Sequence, residues 1–456
     1  MLVAADRMMV DGEIRRDYGL KLDDAGRIAN VGPLAQLGEP DLNLSRRVIF
    51  PGFVNVHSHA FQRVLRGRTQ VAGPVEDNFW TWREKMYLAA SKLTPDDVFV
   101  IARQAFMEML LCGVTSVGEF HYVHHKPSGG AYADPSELAM AVARAACDVG
   151  MRLRLLRTVY LRGGFDTSPS ELQQRFCEPS IDISLGCVEA LIDAFDRAAD
   201  PRLSVGVAAH SVRAMPIDSI VALKTSLIER PFHIHVSEQR REVERCKEVH
   251  GVGPVALLAE SGVLDGLTTL VHATHLEPGE AKEIQLRGSS VCVCPSTEAD
   301  LGDGLIEASR LMRAKVPLCL GTDGQTRSSI LEEARLLEMH ERLHVEKRTV
   351  LSRAEGDEPA RYCLDAATKF GARSLDLEVG ELAQGLWGDL AVFDLDDPHL
   401  VGLDDDSLLA GIIYSADSRA LTDVMVGGEW VVRERQHAKR EESAQAFAQT
   451  AARIYG

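Results

Sequence analysis

Residues 50–67 read FPGFVNVHSHAFQRVLRG, an apolar run that breaks off at His57-Ser58-His59. On an extended strand, side chains two apart share a face, so both imidazoles can reach one ion. An HxH pair on its own is common by chance, and two polar residues at a strand end are the ordinary alternative. Three further motifs change that balance. HIHVSE supplies His235 and Glu238, VHATH supplies His272 and His275, and GTD supplies Asp323. Each stands at the end of another apolar run. His57, His59, His235 and Asp323 make a donor set of three imidazoles and one carboxylate, which suits one divalent ion, Zn²⁺ first and Fe²⁺ second. Such an ion lowers the pKa of a water from ~15.7 toward ~7 and makes it a nucleophile at neutral pH. Glu238 can move protons there, and His272 can polarise the attacked group or orient the water. Cys292 and Cys294 alternate with valine and read as small core residues.

These residues need elements that bring them to one place. Strand-like apolar runs occupy 48–56, 113–120, 153–161, 203–210, 231–236, 267–273, 289–294 and 316–322, with helix-period segments between them. After the first run, Thr94-Pro95-Asp96-Asp97 carries the signals of a helix start, and Gly113 those of its end. Alternation of this kind predicts a parallel (β/α)₈ barrel of the TIM type, whose chemistry sits at the C-terminal ends of its strands. The chain ends differ, with short alternating segments and glycine turns such as VGGEW, a hairpin signal. They predict a small β-sandwich built from 1–48 and 376–436, beside a barrel over 49–375, with a C-terminal helix over 437–456.

The chain of 456 residues is 45% hydrophobic and 26% charged, which is globular composition with length for a large core. A net charge of −17 argues against nucleic acid or a membrane surface as partner. A small anionic substrate needs only a local arginine cluster and stays compatible. Nine scattered cysteines without CxxC suit a reducing cytoplasm. The first residues lack the pattern of a signal peptide, and no apolar run approaches the ~18 residues of a membrane helix.

PGFVNVHSHAFQR, HIHVSE, VHATH and GTD, in this order, resemble the amidohydrolase superfamily over essentially the whole chain. The resemblance implies that His57, His59, His235 and Asp323 bind the metal. It implies that Glu238 and His272 assist catalysis, and that Asp323 also takes a proton from the attacking water. Binuclear members use a carbamylated lysine after the fourth strand. Here that strand ends VAAHSVR, which points to the mononuclear deaminase branch. Within it, HAFQRVLRG, DNFWTWREKMY, GEFHYVHH, HSVRA, VHATHLEP and STEADLGDG resemble the formimidoylglutamate deiminase family. That resemblance implies a cytoplasmic homodimer that converts N-formimino-L-glutamate and water to N-formyl-L-glutamate and ammonia in histidine degradation. It implies that Gln62, Tyr122, His210 and Arg213 hold this small anionic, amino-acid-derived substrate, with Arg83 as a further candidate.

Several residues keep alternatives. Arg83 could be a solvated helix arginine, Trp80 and Trp82 could be packing, and His121, His124 and His125 suit loop or supporting roles. Rival functions are a deaminase of a guanine-, cytosine- or adenosine-like ring and a non-catalytic metal-binding protein. One departure from relatives is Gly324-Gln325 after the metal aspartate, where SDSH is usual, and it is expected to alter the substrate rim.

Overall fold

The protein is described by a computed structural model covering residues 1–72 and 77–456. Eight parallel strands form the central barrel: β1 (Phe53–Ser58), β2 (Val114–His121), β3 (Arg152–Val159), β4 (Leu203–Ser211), β5 (Phe232–Val236), β6 (Thr268–His272), β7 (Ser290–Val293) and β8 (Leu318–Leu320). Every residue of β2, β3 and β5 is buried, as expected for strands covered on both faces by helices. The barrel closes between β1 and the residues just after β8. There the Asp323 N–H donates to the His57 carbonyl at 2.9 Å, and the His59 N–H donates to the Asp323 carbonyl at 3.2 Å. Below them the Asn55 amide donates to Thr322 Oγ1 at 2.8 Å, and its oxygen accepts from the Thr322 N–H at 3.1 Å. The seam is therefore sewn by the residues proposed to hold the metal.

The local signals explain the elements. The helix Pro95–Leu110 starts where Thr94 accepts the Asp97 N–H and the Asp97 side chain accepts the Thr94 N–H, a reciprocal cap. Asp96 and Asp97 complement the positive end of its dipole. Gly113, with φ of 84°, follows the helix and turns the chain into β2.

Both chain ends contribute to one eight-stranded mixed sheet with its own apolar core of Val3, Met8, Leu20, Ile49, Val392 and Met425 among others. Its centre joins Leu2–Val10 in parallel to Leu42–Pro51, which pairs in turn with Leu390–Asp394. The VGGEW turn is a two-residue hairpin pairing Val426 with Glu429, and Gly427 and Gly428 both take positive φ. A Cβ on Gly428 would lie 2.7 Å from the Gly26 Cα, so the turn also needs glycine for close approach. The helix Arg440–Tyr455 packs on Pro95–Leu110 and pairs Arg453 with Asp97.

One predicted strand is corrected. The run 48–56 is two strands: residues to Pro51 belong to the mixed sheet, and β1 begins at Phe53. Gly52 makes the crossing, because a Cβ there would lie 2.3 Å from Thr115 Oγ1. Apolarity alone does not reveal the break, since both halves are buried.

Candidate active site

β1 delivers His57 and, just past its end, His59; β5 delivers His235; the turn after β8 delivers Asp323. Their ligand atoms all lie within 4.8 Å of one another and all four residues are buried. The Nε2 atoms of His57 and His235 are 3.0 Å apart, and Asp323 Oδ1 lies 3.5 Å from His57 Nε2 and 3.2 Å from His59 Nε2. The other ring nitrogens fix the tautomers. His59 Nδ1 donates to the Phe120 carbonyl at 2.9 Å and His235 Nδ1 to the His210 carbonyl at 3.0 Å. Each Nε2 therefore presents a lone pair to the centre. Burial lowers His57 to about 3 and holds His235 well below the usual range, so both rings stay neutral. Neutral nitrogens and a carboxylate converging in a dry space repel unless a cation sits among them, so the residues fit a divalent ion.

β5 shows how alternation selects the ligand. His235 faces the cluster, while His233, two residues earlier, bonds the Ser374 carbonyl at 3.2 Å. Gly321 is required where β8 passes β1, because a Cβ there would lie 2.7 Å from the His57 Cβ. The backbone is strained around the cluster. Ser237, His272, Ala273, Asp323 and Gln325 take φ of 52°, 73°, 51°, 47° and 62°, a region costly for residues other than glycine. These conformations fall at the end of β6 and in the turn after β8, where His272 and Asp323 reach the mouth of the barrel.

His272 Nε2 lies 3.7 Å from Glu238 Oε1 and 3.7 Å from Asp323 Oδ2. Burial favours the neutral ring, but the carboxylates of Glu238 and Glu298 outweigh it and hold His272 well above its usual range. Burial, reinforced by the Asp323 charge, raises Glu238 above the usual carboxylate range. Glu238 and Asp323 thus differ in proton affinity, since the neighbouring His57 and His59 hold Asp323 well below it despite burial.

A cleft opens above this centre. It is lined by His59, His235, Glu238, His272 and Asp323, and by all five predicted substrate residues, Gln62, Arg83, Tyr122, His210 and Arg213. Gln62 Nε2 donates to the Tyr122 hydroxyl at 3.0 Å, leaving Gln62 Oε1 without a partner. His210 stacks edge-on to Tyr160 at 4.5 Å. The Arg213 guanidinium lies 5.5 Å and the Arg83 guanidinium 4.7 Å from the Trp80 ring, and the Nε of each lacks a hydrogen-bond partner. Arg83, on the helix Phe79–Ala90, is half-buried and lines the cleft with its Nε enclosed, which sets it apart from a fully solvated helix arginine.

Gly324 and Gln325 do not act as expected from sequence. Gln325 is fully buried, and its amide donates to Ser58 Oγ at 2.9 Å, behind His57 and His59. Gly324 packs beside Gln62, with a Cβ position 3.3 Å from Gln62 Oε1. The departure therefore changes what supports the rim more than the rim itself. His124 and His125 bond the carbonyls of Thr158 and Cys177, and His275 that of Asp303, so these three are structural.

Two carboxylates escaped the sequence reading. Glu298 accepts from His272 Nδ1 at 3.3 Å and from the Cys294 N–H at 2.9 Å. Glu119 accepts from Ser58 Oγ at 2.6 Å and from the Ala60 N–H at 2.7 Å, bracing the HxH turn. Glu298 stands within STEADLGDG, and Glu119 within GEF, both already conspicuous, but nothing local says which side chain faces the site.

Comparison with known proteins agrees with this geometry. The Amidohydrolase family profile matches residues 48–431. A formimidoylglutamate deiminase of Pseudomonas aeruginosa is 39% identical over 453 residues, covering 98% of both chains. A 5-methylthioadenosine/S-adenosylhomocysteine deaminase of Natronomonas pharaonis is 27% identical, covering 91% of this chain and 88% of its own. The crystal structure of an amidohydrolase from Brucella melitensis superposes with a TM-score of 0.92 at 31% identity, over 100% of both chains. The chain belongs to the amidohydrolase family, as a hydrolase of carbon–nitrogen bonds.

Proposed function

We propose that the protein is a formimidoylglutamate deiminase, hydrolysing N-formimino-L-glutamate to N-formyl-L-glutamate and ammonia within histidine degradation. The observation that carries this reading is the pair of arginines in the cleft. Arg83 and Arg213 stack on Trp80 without a carboxylate of the described residues within ion-pair distance, as cations awaiting two substrate carboxylates would. Gln62 and Tyr122 add a neutral acceptor and a hydroxyl beside them. A ring deaminase would have no use for two such cations, although the aromatic walls would suit it.

His57, His59, His235 and Asp323 would hold the ion, with Zn²⁺ as the metal proposed and Fe²⁺ as the alternative the donors allow. The ion supplies Lewis acidity that makes a water nucleophilic near neutral pH. Asp323 and His272 orient that water, and Asp323 takes a proton as its oxygen bonds to the formimino carbon. Glu238, already biased toward its acid form, protonates the amino nitrogen of the tetrahedral carbon. The proton taken by Asp323 also passes to that nitrogen, the C–N bond breaks and ammonia leaves, and the last hydroxyl proton returns to Glu238, so both carboxyl groups regain their starting states. One water is consumed and one ammonia released. Arg83 and Arg213 fix the remote carboxylates, so binding energy positions the reacting carbon.

All nine cysteines are free thiols, which supports a cytoplasmic enzyme, and the family resemblance supports a homodimer, checked by light scattering. Among the described residues no helix is long and apolar enough to cross a membrane. The deciding experiment is ammonia release from N-formimino-L-glutamate beside 8-oxoguanine, cytosine and 5′-methylthioadenosine, with and without chelator. Release confined to the formimino substrate and abolished by chelation is expected. Turnover of a ring substrate alone would overturn the reading.

A further inference from the structure

A second hollow adjoins the catalytic cleft. Arg83 and Arg213 line both. Its outer wall is Arg241 and Arg245, exposed on the helix Arg240–His250 that follows β5. Its opposite wall is the turn Gly163–Thr167 after β3, so the cavity lies on the catalytic rim. Four guanidiniums on one hollow are conspicuous in a chain of net charge −17, whose mean field repels an anion. The acids nearby do not cancel them all. Glu242 is buried beneath Arg213 with one oxygen on the Ser237 N–H, Glu248 pairs with Arg245, and Asp166 lies by Arg162. Arg241 pairs with no carboxylate of the described residues and instead lies 5.0 Å from the Trp80 ring.

Trp80 lines the outer hollow and packs against Arg83 and Arg213, the two residues that line both spaces. The guanidiniums of exposed Arg241, half-buried Arg83 and buried Arg213 lie 5.0, 4.7 and 5.5 Å from its ring centroid, so one indole contacts three cations of decreasing exposure. Arg213 is itself only 9% exposed and its Nε is unpartnered. Its backbone is fixed from behind, because Arg162 donates to the carbonyls of Arg213 at 3.1 Å and Val212 at 2.8 Å.

We propose that this cavity is an anion-recruiting vestibule, in which Arg241 first captures a carboxylate of a small dicarboxylate substrate and passes it along Trp80 to Arg83 and Arg213. The inference rests on the dicarboxylate reading of the site. Its signature is kinetic, since exposed charges act on association more than on bound-state affinity and are screened by salt over ~10 Å at 0.1 M.

The test uses the metal-loaded full chain and stopped-flow tryptophan fluorescence, with N-formimino-L-glutamate and, separately, L-glutamate as probes. Wild type is expected to lose about fivefold or more in kon between about 20 mM and about 300 mM NaCl. Arg241→Gln is expected to lower kon about 3- to 10-fold at low salt and to flatten that slope, and Arg241→Glu to lower it further. Arg348→Gln, an equal charge change on an exposed residue after the helix Ile330–Val345, at the opposite end of the barrel, is the control. Unchanged kon and slope in Arg241→Gln, or an equal effect in the control, would overturn the vestibule, as would failure of wild type to bind either probe. Salt-dependent binding of L-glutamate through Arg241 without turnover of the formimino compound would sustain the vestibule and overturn only the proposed reaction.

Discussion

Glu238 and Asp323 are both buried carboxylates beside His272, yet their surroundings push them in opposite directions, and that difference is what a proton shuttle requires. Glu238→Gln keeps the shape and the donor set. It should bind metal normally by elemental analysis and lose about 10²- to 10⁴-fold in kcat; unimpaired turnover would remove the shuttle role. His235→Ala should instead lose the metal itself. Arg213→Ala should act on substrate, raising KM about 10- to 100-fold with a smaller change in kcat. Glu298 touches no substrate position and works through His272 Nδ1. Its alanine variant should retain metal and lose about 10-fold or more in kcat, and Glu298→Gln, which keeps an acceptor oxygen, should recover part of that. Equal activity of the alanine and glutamine variants would count against a positioning role.

Among the elements, the junction of barrel and mixed sheet depends on one buried ion pair. Arg152, opening β3, reaches Asp389 in two contacts of 3.0 and 3.2 Å, and Asp389 also accepts the Gly427 N–H of the hairpin at 2.7 Å. Both side chains are almost wholly buried, at 2% and 0% exposure. Removing one partner strands the other, so Asp389→Ala should cost about 3–5 kcal/mol in a denaturant titration. A cost below about 1 kcal/mol would mean water or a neighbour replaces the pair. This junction was not legible in the sequence. Arg152 and Asp389 are 237 residues apart, and each alone reads as an ordinary charged residue at an element's end. The split of residues 48–56 was hidden for a related reason: a strand buried in one sheet and a strand buried in another share the same apolar texture.

For the whole molecule, metal and fold are linked through the barrel seam, since the backbone of His57, His59 and Asp323 closes the barrel and their side chains converge on the ion site. An ion present at about a thousandfold over its Kd adds about 4 kcal/mol to the folded state. For a chain of 456 residues, stripping it should lower Tm by about 4 °C, with recovery on adding Zn²⁺. An unchanged Tm in calorimetry would mean the site is not occupied by that metal. The sequence by itself determined the barrel, the order of its strands and which motifs meet at one rim. Strand alternation, turn glycines and the HxH, HIH and GTD motifs are local signals, and a parallel barrel has one rim where strand ends meet. Only the tertiary structure decided which of two neighbouring histidines faces the centre, that Arg83 lines the cleft, that Gln325 supports rather than lines the site, and that Glu119 and Glu298 stand behind the site histidines. Those outcomes depend on contacts between residues far apart in the chain, where burial and neighbouring charge are set by packing and leave no mark in the local pattern.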